Sequence, residues 1–80
     1  MNQSNSRGVS LGKYIRDIRI SRSISTKEIA AALRISEYKY IQYELGETSI
    51  YIDHLIIISN VFKVEIKVLL DVFESYSNHT

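Results

Sequence analysis

Apolar residues recur at helical spacing along most of this chain. Leu11, Tyr14, Ile15 and Ile18 fall three and four apart, which predicts a helix from near Ser10 to about Ser21. Ile29, Ala30 and Leu33 make an inward stripe on a short alanine-rich segment, residues 26–33. A third helix runs from Ser36 to Leu45. A fourth, over about 52–62, carries Leu55, Ile56, Ile58 and Phe62. A fifth, over about 66–76, carries Ile66, Leu69, Leu70 and Phe73. The run "IYIDHLIII" has the isoleucine content of a strand, but no partner strand lies nearby, so it reads as helix.

Proline is absent and glycine occurs 3 times, so the breaks between helices fall to capping residues. Ser25 followed three positions later by Glu28 is a capping-box pattern. Arg34 and Ile35 form a turn, Ser36 is the next N-cap, and Gly46 stops the third helix. "ETSIYI" is a connecting loop and "KV" a short break. Residues 1–9 are polar and read as a flexible arm, 10–76 as one all-α domain, and 77–80 as a tail.

A chain of 80 residues supports one small core and is marginally stable alone, so help from a second subunit is expected. At 45% hydrophobic and 24% charged it is too apolar for a disordered chain. No cysteine is present, which rules out disulfides and thiolate metal sites and fits a reducing cytoplasm. No apolar run reaches the roughly 20 residues of a membrane span. "MNQSNSRGVS" lacks the apolar centre of a signal peptide.

Net charge is +1, but it is unevenly spread. Residues 1–46 carry +4 and residues 47–80 carry −3. One face for a polyanion and another for a different contact would produce this division, as would ordinary scatter. Catalysis finds little support. His54 and His79 are the only histidines, and His54 adjoins Asp53, so the two do not share a helix face. There is no nucleophile motif, Gly-rich phosphate loop or metal-ligand spacing, so neither catalytic residues nor a cofactor or metal are expected.

Two short helices joined by a three- or four-residue turn form a helix-turn-helix unit. Ala30 is small where the second helix must approach the third. Ile35 is apolar in the turn, and Tyr40 and Tyr43 point inward from the third helix. Here "LGKYIRDIRISRSISTKEIAAALRISEYKYIQYELG" resembles the Cro/repressor-type helix-turn-helix domain of the Xre family, regulators of phage and bacteria. The likeness continues through "HLIIISNVFKVEIKVLL" and covers roughly residues 11–70. It departs from the family where Arg34 stands for the usual turn glycine, Thr26 for a glutamine, Tyr40 for an aliphatic residue, and "ETSIYI" for a basic loop.

The resemblance implies a compact five-helix, lambda-repressor-like fold and a sequence-specific regulator of cytoplasmic double-stranded DNA. Ser36, Tyr40, Tyr43 and Glu44 would face the body; Glu37, Tyr38, Ile41, Gln42 and Leu45 would face outward, with Lys39 on the flank. The third helix enters the major groove N-terminus first, with Glu37, Tyr38 and Gln42 at the base edges. Gln bonds adenine, Glu accepts from cytosine N4, and Tyr touches a thymine methyl or a phosphate. A solvated helix face is the alternative for these three. Thr26, Lys27, Ser36, Lys39 and Arg34 would hold phosphates, with Arg7 and Lys13 adding long-range attraction. Arg19 and Glu44 would form an internal ion pair.

Family members double their reading length by dimerising on two half-sites. Ile57, Val68 and Val72, with Phe73 and Tyr76, are the expected homodimer surface, or else they complete the core. A protein-interaction module is the rival function, such as an antitoxin or co-regulator that binds a protein partner through helices 4 and 5.

Overall fold

The computed structural model describes the backbone of residues 6–77 and the side chains of residues 9–74. Five helices follow one another: α1 (Ser6–Ser21), α2 (Thr26–Leu33), α3 (Glu37–Leu45), α4 (Ile52–Phe62) and α5 (Ile66–Ser77). No strand occurs among the described residues, and the isoleucine-rich run is helical from Ile52 onward, in α4. Helix α1 begins four residues before the expected start at Ser10. With no proline to stop it, each added residue contributes one more hydrogen bond, so part of the expected arm is helix.

Helix α1 packs on α3 and α5, α2 on α3 and α4, and α4 on α5. The stripes converge on one core: Leu11 and Ile15 from α1, Ile29, Ala30 and Leu33 from α2, Tyr40 and Tyr43 from α3, Leu55, Ile58 and Phe62 from α4, and Leu69 from α5. Each large aliphatic side chain buried this way contributes about 1.5–3 kcal/mol.

Two local features set how closely and at what angle the helices meet. The first is Gly12. A Cβ built there would stand 2.4 Å from the Glu44 carbonyl oxygen and 2.5 Å from that of Tyr43. The backbones of α1 and α3 therefore touch, and only glycine fits between them.

The second is a repeated ending. Ser23, Arg34, Gly46 and Lys63 all have positive φ, between 58° and 75°. After each, the next amide reaches back five residues: Ile24 to Arg19, Ile35 to Ala30, Glu47 to Gln42 and Val64 to Ser59, all at 3.0–3.1 Å. This is the Schellman pattern, which satisfies carbonyls left over at helix ends. Three of the four lack the glycine that normally adopts this conformation. Each of these three is followed by an apolar residue (Ile24, Ile35, Val64) that packs on the core. Burial of that residue offsets the left-handed backbone before it. Arg22 adds a further tie, donating its Nε to the Phe62 carbonyl at the end of α4.

Candidate nucleic-acid interface

Helices α2 and α3 are joined by residues 34–36, and each begins at a serine cap. Ser25 accepts from the Glu28 amide at 3.0 Å, and the Glu28 carboxylate accepts from the Ser25 amide at 2.8 Å, closing the capping box. Ser36 accepts from the Lys39 amide at 3.0 Å. Ser36 is exposed rather than turned to the body, because a cap lies at the helix mouth. Its hydroxyl proton remains available to an incoming anion. Arg34, exposed, turns the chain with φ 60° and ψ 40°.

The inner face of α3 is an electrostatic and hydrogen-bonded anchor. Arg19 from α1 donates Nε to Glu44 Oε2 at 2.6 Å and Nη2 to Oε1 at 3.2 Å. Its Nη1 reaches the Ile24 carbonyl at 2.9 Å. The Tyr40 hydroxyl donates to the same Glu44 carboxylate at 2.5 Å. Among the described residues no buried side-chain polar atom lacks a partner, so the buried ion pair leaves no uncompensated group. The hydrogen bond to Glu44 raises the Arg19 pKa, and burial, reinforced by Glu44, pushes the Tyr40 phenol far above its ordinary range.

Tyr43, also fully buried and raised by burial, places its hydroxyl 2.6 Å from His54 Nδ1 on α4. The His54 ring in turn meets Tyr51, centroid to centroid 5.6 Å. Sequence reasoning weighed His54 only against catalysis and missed this polar partner for a buried phenol. A tyrosine that must be buried needs such a partner, and that requirement was the available signal.

The outer face presents Glu37, Tyr38, Ile41 and Leu45; Tyr38 is 72% exposed, Ile41 38% and Leu45 56%. Gln42 is half-buried at its edge. Of the residues expected at phosphates, Lys27 and Arg34 are exposed. Thr26 and Lys39 are not free in the way expected. Thr26 Oγ1 donates its one proton to Glu37 Oε2 at 2.5 Å, which leaves none for a phosphate. The Lys39 ammonium lies 5.6 Å from the centre of the Tyr51 ring, a cation–π contact. Lys13 is exposed, and the side chain of Arg7 lies outside the described residues.

The residues expected at a dimer surface, or else in the core, are partly turned inward. Ile57, Val68, Val72 and Phe73 are all half-buried, and Ile57, Val72 and Phe73 pack against the core. The side chain of Tyr76 lies outside the described residues. Helix α4 turns a different edge to solvent: Ile52 is 55% and Ile56 43% exposed, next to Tyr51 at 63%. Ile56, expected in the core, is displaced because Leu55, Ile58 and Phe62 take the inward positions of α4.

Among the described residues no group of three His, Asp or Glu side chains is placed to hold a metal ion, and no helix is long and apolar enough to cross a membrane. No protein-family model matches the chain, and no curated protein matches it either.

Proposed function

We propose that this chain is a sequence-specific DNA-binding regulator of the Cro/repressor type, with α2 and α3 as its helix-turn-helix and α3 in the major groove. The observation that carries this reading is the two-faced α3. Its inner side is locked to α1 through Glu44, Arg19 and Tyr40. Its outer side offers Glu37 and Tyr38, with Gln42 at its edge, beside two serine-capped helix N-termini; free backbone amides there suit phosphates, while the Glu28 and Glu37 carboxylates in the first turns favour specificity over affinity. Lys27, Arg34 and Ser36 supply the remaining phosphate contacts.

One such domain reads only a few base pairs, so the operator consists of two inverted half-sites bound by two copies. The contact between copies falls to Ile52 and Ile56 of α4, with Tyr51 at its N-cap, all three exposed.

The test is selection of sites from a random duplex pool at near-physiological salt. Enrichment of inverted half-sites about one helical turn apart is the expected result. Gln42→Ala then costs about 1–3 kcal/mol at one base position and relaxes specificity there. Folded protein that enriches no motif overturns the reading in favour of a protein-interaction module. The apolar exposure of Tyr38, Ile41 and Leu45 is the observation that favours this second reading.

A further inference from the structure

Helix α1 carries aliphatic side chains on both of its faces. Leu11, Ile15 and Ile18 turn toward the core. Val9, Lys13, Arg16 and Ile20 are exposed, Val9 at 49% and Ile20 at 51%. These four follow one another by four, three and four residues. On an α-helix that spacing places them within about 60° of one another around the axis, on the far side from Leu11 and Ile15. They form one stripe about 16 Å long, with two cations in the middle and an aliphatic side chain at each end.

Nothing inside the fold accounts for this stripe. Lys13 and Arg16 stand three apart, so their like charges weaken the helix slightly. The ion pairs among the described residues are Arg19–Glu44 and Lys67–Asp71. Asp17, exposed at the border of the stripe, is paired with neither of its cations, and Glu44 is held by Arg19.

The arrangement discriminates among anionic partners. A helix that lies on a membrane needs a continuous apolar face with its cations at the border, whereas here the cations occupy the centre. The DNA backbone offers phosphates to the cations but little apolar surface to Val9 and Ile20. A protein helix offers both: carboxylates in the middle and apolar side chains toward the ends, at the same helical spacing. A spacing of four, three and four reads alike in either direction, so such a helix seats parallel or antiparallel to α1.

We propose that the outer face of α1 docks an acidic amphipathic helix of a partner protein. This surface belongs to a different helix from α2 and α3 and is independent of the DNA-binding reading.

The experiment titrates the protein with a fluorescent alanine-based helical peptide of about 16 residues, carrying Leu, Glu, Glu and Leu at the spacing of the stripe. A second peptide has lysines in place of the two glutamates. Fluorescence anisotropy should show saturable binding of the acidic peptide at near-physiological salt, about tenfold tighter than of the basic one. Lys13→Glu/Arg16→Glu should reverse that order, which an unfolded variant would not do. Ile20→Ser should weaken the acidic peptide about fivefold, through the lost aliphatic contact. Equal binding of the two peptides, or none, overturns the proposal. Self-association that Lys13→Glu/Arg16→Glu abolishes, without a peptide preference, overturns it by assigning the face to a second copy. Loss of affinity for phosphatidylglycerol vesicles or for duplex DNA in that variant, again without a peptide preference, overturns it by assigning the cations to phosphates; in the DNA case the reading of α3 is left intact.

Discussion

Thr26 on α2 and Glu37 on α3 share a hydrogen bond of 2.5 Å, the threonine donating. Both residues belong to the proposed DNA face, and the bond makes them one unit. It holds the Glu37 carboxylate at a defined place beside the start of α2. Thr26→Val keeps the shape and removes the donor. Glu37 then loses its fixed position, and discrimination at the base pair it meets falls by about tenfold, the lower end of the worth of a hydrogen bond to a charged group. Binding to a panel of single-base variants checks this. Equal weakening across the whole panel would return Thr26 to the role of phosphate contact.

Gly12 is the position where α1 touches the α3 backbone. The atoms a Cβ would strike are main-chain carbonyl oxygens, which move only if a helix moves. Gly12→Ala should cost about 3 kcal/mol, at the upper end for overpacking. For so small a domain this is a large part of its total stability. Urea denaturation gives the number; a midpoint within error of the parent would mean that α1 can slide without penalty.

Alkaline pH should unfold the protein earlier than it would unfold a domain with exposed tyrosines. Burial raises the pKa of both Tyr40 and Tyr43 in the folded state, whereas in the unfolded chain each ionises near pH 10. Above that pH the unfolded chain loses phenol protons that the folded chain keeps. Stability present below pH ~10 is therefore lost as pH rises beyond it. Tyr40→Phe removes one of the two contributions, and its urea midpoint should fall less steeply between pH 9 and 11. Parallel curves for the two proteins would contradict the assignment.

Lys63 ends α4 with φ 61° and ψ 40°. Glycine adopts this conformation without the steric cost that a side chain incurs. Lys63→Gly should stabilise the fold by about 0.5–1 kcal/mol, reduced somewhat by the greater freedom of glycine in the unfolded chain. Thermal and urea unfolding both report this. A destabilised variant would show that the Lys63 side chain contributes more than its backbone costs.

Ile56 separates the proposed dimer surface from the core. Being 43% exposed, it tolerates a charge, so Ile56→Asp should change unfolding by no more than about 0.5 kcal/mol. The same change should convert dimers to monomers in sedimentation and weaken binding to a two-half-site operator. Dimers that persist in Ile56→Asp would place the contact elsewhere.

Much of this architecture is written locally. The serine caps at Ser25 and Ser36, the glycine after Leu45 and the three- and four-residue apolar spacing are all short-range signals, and a helix is a short-range structure. They locate α2, α3 and α4 to within a residue or so and place Tyr40 and Tyr43 inside. The charges of Arg19 and Glu44 are visible too, although their pairing across 25 positions is a property of the folded chain.

What the tertiary structure decided is how each residue is used. Periodicity cannot tell Ile56 from Ile57, because neighbouring residues on a helix differ by only 100° and the width of the buried face depends on what packs against it. It cannot show that Gly12 is needed for the approach of α3, that Thr26 spends its proton on Glu37, or that Lys39 rests on Tyr51. These depend on distances between segments far apart in the chain. Even the left-handed turn at Arg34 holds because Ile35, one residue further on, finds a place against the core.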